Sequence, residues 1–204
     1  RSLLVAGQAL RLRFAGEALV PAVLPAFAHP PRPPPGLPPG LDVVLLDSAS
    51  TGAHLPPLPE PCRESVSRGE LSGFNTDRFL ASFDPGAGVL GLVDLTASRA
   101  VYWVRDARPL PEYERGAPLR TILHAWMRSR GLQFAHAAAV GVPGSGALIL
   151  GKGGSGKSTT ALACLQAGLL FAADDYVLLG KDPPAVHSVF CSAKLGPDSL
   201  ARFP

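Results

Sequence analysis

Apolar and polar positions alternate with two different periods along this chain, and the change of period marks its divisions. Across residues 117–130, Leu119, Ile122, Leu123, Trp126 and Met127 recur at i, i+3, i+4, i+7 and i+8, with Arg120, His124 and Arg128 on the other side and Gly131 after the last turn. That spacing predicts an amphipathic helix with a glycine stop, its apolar side joining an N-terminal unit to a C-terminal one. Before it, short apolar runs at Leu3–Leu12, Leu41–Leu46, Val89–Leu95 and Ala100–Val104 read as strands, the last two forming a hairpin around Thr96–Arg99. A helix is expected before Pro30. After the amphipathic segment, Leu132–Val140, Ala147–Leu150, Leu169–Ala173, Tyr176–Gly180 and Val186–Ser192 read as strands, the short apolar Ala147–Leu150 as a buried one, with good helix formers over 157–167 closed by Gly168.

The stretch PPRPPPGLPPG at 30–40 offers few backbone donors, so it is expected to be an exposed spacer rather than a ladder or helix. Asp47–Glu60 reads as a turn-rich loop. The chain therefore divides into a β-rich unit over 1–112, which carries no catalytic motif, and a second unit over 113–204. The first residue is Arg1, and the last residues come after a strand and what reads as the start of a helix, so the sequence is expected to be a fragment.

Composition narrows the classes of function. An apolar content of 47% against 17% charged supports a packed core and argues against general disorder. The net charge of +3 comes from scattered basic residues, so no nucleic-acid partner is expected. No apolar run approaches the roughly 18 residues that suggest a membrane span, and no membrane partner is expected. Cys62, Cys164 and Cys191 lack metal-binding spacing and fit a reducing cytoplasm, with Cys164 as a small core residue. His29 and His54 stand alone in loops and are not read as metal ligands.

The chemistry is concentrated in 147–175. Gly151-Lys152-Gly153-Gly154-Ser155-Gly156-Lys157-Ser158 fits G-x-x-x-x-G-K-[ST], the phosphate-binding P-loop, with a strand before it and a helix after it. Glycines let backbone N–H groups approach phosphate oxygens, and the helix start adds its positive dipole end. Lys157 would then reach the β- and γ-phosphates of ATP, and Ser158 would ligate Mg²⁺, with Thr159 next in the first turn. The apolar strand that ends in Asp174-Asp175 supplies carboxylates for the metal side of such a site. His136, in the strand before the loop, reads either as a satisfied core residue or as an imidazole that orients Asp174 or Asp175. Lys194 reads as a surface lysine or a second phosphate contact, and Arg115 and Arg120 as part of a solvated face or, as the alternative, as a phosphate contact.

Three segments together carry a family resemblance: FAHAAAV at 134–140, GALILGKGGSGKSTTALACLQAGLLFAADDYVLL at 146–179 and HSVFCSAKL at 187–195, with YERGAPLR at 113–120 upstream. They resemble the HPr serine kinase/phosphorylase-like proteins, closest to the HPr-kinase-related proteins of bacterial peptide-modification and lasso-peptide gene clusters. The resemblance implies an α/β fold with a P-loop nucleotide domain of the HPr kinase/phosphoenolpyruvate-carboxykinase type, preceded by the small β-rich unit. It implies ATP and Mg²⁺ as cofactors, transfer to a serine hydroxyl of a protein or precursor peptide, and peptide recognition by the N-terminal unit, and it leaves room for a homo-oligomer. By the same resemblance Asp175 is the base and Asp174 the metal ligand. HPr kinases carry further acidic and arginine residues beyond the stretch aligned here, so phosphorylase activity is not expected of this chain. A nucleotide-binding regulatory module without turnover, and a small-molecule kinase of the same fold, are the rival readings.

Overall fold

The structure, a computed structural model, describes residues 1–54, 69–71 and 73–193. It is a mixed α/β arrangement built on one seven-stranded sheet and two three-stranded sheets. The apolar run at 3–12 is not one strand but a hairpin, β1 (Ser2–Val5) and β2 (Gln8–Phe14), turned at Ala6-Gly7. Both turn residues have positive φ, 48° and 74°, the conformation that a two-residue hairpin of this hand demands. A short helix α1 (Val20–Val23) and a 3-10 turn over Leu24–Phe27 come next, and they bury Val23, Ala26 and Phe27. They form the crossover to β3 (Leu41–Asp47), which lies parallel to β2. The proline stretch is mostly exposed, as expected, but it is tied at both ends: Leu4 N–H donates to the Pro31 carbonyl and Gly40 N–H to that of Ala9.

Asp47 ends β3 and caps a single helical turn, α2 (Ser48–Thr51), accepting from Ser50 N–H at 3.1 Å. Its other oxygen accepts from the buried Ala107 N–H at 2.9 Å, so one carboxylate closes two chain reversals. The predicted loop 47–60 thus begins with a helical turn, and its later part lies outside the described residues. β4 (Gly69–Glu70), β5 (Phe79–Asp84), β6 (Val89–Asp94) and β7 (Arg99–Val104) complete the sheet in the order β1-β2-β3-β7-β6-β5-β4. The β6–β7 hairpin matches the predicted one; β5 is a strand that the sequence pattern does not mark.

α3 (Glu112–Gly116) precedes the amphipathic helix, which is α4 (Arg120–Arg128). It is shorter than 117–130 because Leu119 sits in the left-handed region at φ 61° and breaks the chain direction ahead of the first turn. Ile122, Leu123, Trp126 and Met127 are all at most 1% exposed and join the main core with β1, β2, β3, β7 and α1. Burial of four such side chains contributes about 6–12 kcal/mol gross, comparable to the net stability of a whole domain, so α4 is a fixed member of that core.

The remaining chain forms two small antiparallel sheets. The predicted strand 132–140 divides into β8 (Gln133–Ala135) and β9 (Ala138–Val142), and the two halves belong to different sheets. β9 pairs with β10 (Ser145–Ile149) and, on its other edge, with β11 (Leu170–Ala173). Since both run antiparallel to β9, β10 and β11 are parallel to each other. They are joined by α5 (Lys157–Gln166), which packs on β9 and β11 over Ala138, Val140 and Ala161, with Cys164 partly buried at this contact. Gly168 at φ 86° ends the helix as predicted: its N–H donates to the Leu165 carbonyl and that of Leu169 to Cys164. The strand before the glycine loop was expected to be buried. Instead β10 is an edge strand paired only with β9 among the described residues, and Leu148 is 37% exposed.

β12 (Val177–Gly180) pairs with β8 and with β13 (Ala185–Ser188). β13 is shorter than the predicted 186–192. After it the chain leaves the sheet, burying Val189 and Phe190 in the main core, with the Phe190 ring 5.4 Å from that of Phe27. No helix among the described residues is long and apolar enough to cross a membrane.

Candidate functional site

The glycine loop leaves β10 at Leu150 and enters α5 at Lys157. Its shape depends on missing side chains. Gly154 and Gly156 stand at φ 78° and 89°, where a Cβ is strained, and a Cβ on Gly151 would lie 2.5 Å from the Ser155 hydroxyl oxygen. Ser155 N–H donates to the Lys152 carbonyl at 3.2 Å and closes the turn. Gly151, Gly153, Gly154 and Ser155 are exposed, while Gly156, Ser158 and Thr159 are half-buried. The N-cap of α5 is Gly156, so no side chain satisfies the N–H groups of the first turn, and no acidic residue offsets the dipole there. Such a helix end is an anion site in waiting.

Lys157, first residue of α5, is only 8% exposed. Its ammonium is curled into the loop, donating to the carbonyls of Gly151 at 2.9 Å and Lys152 at 3.2 Å. A cation is thereby held inside the arc of glycines.

The acidic half issues from the same end of the small sheet. Ile149 pairs with Ala138 and Ala173 with Ala139, so Leu150, Ala137 and Asp174 all leave the strands at one edge. Asp174 is 1% exposed. His136, at the break between β8 and β9, brings Nε2 to within 2.6 Å of the Asp175 carboxylate oxygen Oδ1. Of the two aspartates, the histidine therefore meets Asp175. The imidazole lies almost parallel to the Tyr176 ring, with centroids 5.3 Å apart and planes 25° from each other. The Tyr176 hydroxyl accepts from Arg120 Nη1 at 3.1 Å.

A cavity of about 330 Å³ opens beside this group, walled by Glu112, Tyr113, Arg120, His136, Asp175 and Ser192. Its α3 wall is fixed from below. The buried Tyr102 hydroxyl donates to Glu114 at 2.7 Å, and burial, together with the Glu114 carboxylate, holds the Tyr102 phenol well above its ordinary pKa. Arg115 donates to the carbonyls of Leu110 and Arg108, so it braces the chain entering α3.

Neither Arg120 nor Tyr176 is marked as a site residue by the sequence. Arg120 reads there as part of a solvated helix face or as a phosphate contact, and the contact to Tyr176 that gives it a place spans 56 residues, beyond any local pattern. Lys194 lies outside the described residues, as does Cys62. Among the described residues no group of three or more His, Cys, Asp or Glu side chains is arranged to hold a metal. No protein-family model matches the chain, and no curated protein matches it either.

Proposed function

We propose that this chain is a P-loop phosphotransferase of the HPr-kinase type, which moves the γ-phosphoryl group of ATP to a serine hydroxyl of a protein or peptide. The observation that carries the reading is the enclosed Lys157 ammonium at the uncapped start of α5, at the same sheet end as the His136–Asp175 pair. The residues suit a polyphosphate. The backbone N–H groups of Gly151, Gly153, Gly154, Ser155 and Gly156 and the first turn through Thr159 would receive it, with Lys157 turning from the loop carbonyls to the β- and γ-oxygens.

They also suit a magnesium ion, which takes one or two protein oxygens and completes its shell with phosphate and water. Ser158, half-buried in the first turn, and the buried Asp174 carboxylate would hold it. Bound there, Mg²⁺ would neutralise charge on the phosphate oxygens. Asp175 takes the proton that leaves the acceptor serine as its oxygen bonds to the γ-phosphorus; the bond from that phosphorus to the β–γ bridging oxygen breaks, and ADP departs with the electron pair. His136 holds Asp175 through Oδ1 while this occurs. Positioning and charge neutralisation supply most of the acceleration in such a transfer.

The test is label transfer from γ-labelled ATP to serine-bearing peptides. The wild-type chain is expected to transfer, and Asp175→Asn to lose about 10²–10⁴-fold in rate while still binding nucleotide. Label that is bound but never transferred would overturn the kinase reading in favour of a nucleotide-dependent module.

A further inference from the structure

We infer that Arg120 and Tyr176 are positioning residues for the His136–Asp175 pair, so that α4, through its first residue, sets the direction of the carboxylate. The inference rests on the phosphoryl-transfer reading and adds to it a device that the glycine loop does not contain.

The need for such a device arises from exposure. The Asp175 side chain is 37% exposed and that of His136 is 53% exposed. Two half-solvated groups joined by one close N···O contact can pivot together, and a base must be aimed at one hydroxyl. Burial does not hold this imidazole; the Tyr176 ring does, stacked over it at 5.3 Å. Tyr176 is itself held in two ways. Its hydroxyl accepts from Arg120 Nη1 at 3.1 Å, and the guanidinium carbon stands 5.3 Å from its ring centroid. Phe134 adds an edge contact, with centroids 6.5 Å apart.

Arg120 is the anchor because the rest of its helix is immobilised in the core. Two and three residues on, Ile122 and Leu123 are 0% exposed, and Trp126 and Met127 lie within the same core. The backbone of Arg120 is therefore fixed to the seven-stranded sheet, and its side chain carries that rigidity across to the catalytic edge. The chain of contact runs from the main core through Arg120, Tyr176 and His136 to Asp175, its links a hydrogen bond, a ring contact and a 2.6 Å ion-pair contact.

Two readouts on the full chain test this. Carbon-bound ring protons of His136, observed by NMR, are expected to lose their ring-current shift in Tyr176→Leu and to keep it in Tyr176→Phe, which retains the stacked ring. In transfer kinetics, Tyr176→Leu is expected to lower kcat about 10- to 100-fold with the KM for ATP within about twofold, because aim is lost and nucleotide contacts are not. Arg120→Gln is expected to lower kcat about 3- to 10-fold, and Arg120→Lys to recover part of it, since a lysine donor can still reach the phenol oxygen. Unchanged His136 shifts in Tyr176→Leu would overturn the inference, and so would a KM that rises as far as kcat falls. Altered shifts with an unaltered kcat would overturn this inference alone. No transfer by the wild type, with its shifts in place, would overturn the kinase reading and the purpose assigned to the pair.

Discussion

Replacing Lys157 separates a phosphate cradle from a glycine turn that happens to precede a helix. In the structure the ammonium makes two hydrogen bonds to loop carbonyls, at 2.9 and 3.2 Å, from a residue that is 8% exposed. In Lys157→Met the stem keeps its packing and the charge goes. For the protein alone, two charge-assisted hydrogen bonds of about 1.5–3 kcal/mol each are lost, but the carbonyls of exposed Gly151 and Lys152 turn to water and a charge no longer has to be held away from it, so the opposed contributions largely cancel and stability should change by less than about 1.5 kcal/mol. For bound ATP the balance differs. A charged hydrogen bond to phosphate is worth about 1.5–3 kcal/mol, so a loss near 2 kcal/mol, or about 30-fold in Kd, is expected. Lys157→Arg keeps the charge but not the reach within a closed loop, and about a 10-fold loss is expected. Titration calorimetry with a non-hydrolysable ATP analogue and magnesium reads both, and thermal unfolding checks that the fold is retained. An unaltered Kd in folded Lys157→Met would refute the reasoning, because Lys157 is the loop lysine whose ammonium is enclosed, whereas Lys152 is exposed.

Three further outcomes rest on named contacts. Gly151→Val should cost about 10-fold or more in nucleotide affinity by calorimetry while leaving the unfolding transition of the main core in place, because its Cβ meets Ser155 at 2.5 Å in an exposed loop. Tyr102→Phe should destabilise by about 1–3 kcal/mol in denaturant titration, since the buried Glu114 loses a donor; and because the Tyr102 pKa is raised on folding, the stability that wild type loses above pH ~10 should be largely retained in the variant. Burial pushes the Asp42 carboxyl up, but the hydrogen bonds from Arg11 and Arg13 outweigh it and leave its pKa lowered, so its contribution is present above pH ~4 and lost as the pH falls through the folded value; Asp42→Asn should flatten that acid limb.

The features legible in the sequence are the local ones. The glycine loop, α5 with its Gly168 stop and the β6–β7 hairpin are each specified by residues a few positions apart, and each appears where it was expected. The buried stripe of α4 was legible for the same reason. The β1–β2 hairpin was hidden because its turn is Ala6-Gly7, without the asparagine or aspartate that usually marks a left-handed turn. β5 was hidden because Phe79-Leu80-Ala81-Ser82-Phe83-Asp84 alternates poorly: Phe79 is 46% exposed whereas Ser82 is buried, hydrogen-bonded to Thr121. Burial of β10 was overestimated because an apolar composition does not report how many strands lie beside it. In the site, His136 stands out beside Asp174 and Asp175 in the sequence, but the partner it meets and the part of Arg120 depend on contacts between distant segments.

The division of the predicted strand 132–140 also explains why the candidate site lies where it does. β8 pairs with β12, and β9 with β10 and β11, so the chain changes sheets at His136-Ala137. It changes again, in the opposite sense, at Asp174-Asp175-Tyr176, between β11 and β12. Both changes fall on one seam, where the ladders of the two small sheets end. Within a ladder, a charged side chain would have to point at a packed face or at open solvent, and each pairing would tie its direction to the pleat. At a seam the backbone bends and the side chain is released from that alternation. Small residues keep the seam tight: Ala137, Ala139 and Ala173 pack there with Val177, which brings His136 and Asp175 within hydrogen-bonding distance. Enlarging Ala137, which is 0% exposed, would therefore press the two crossings apart without touching either titratable group. The separation of His136 and Asp175 is set by how closely two pieces of backbone pass.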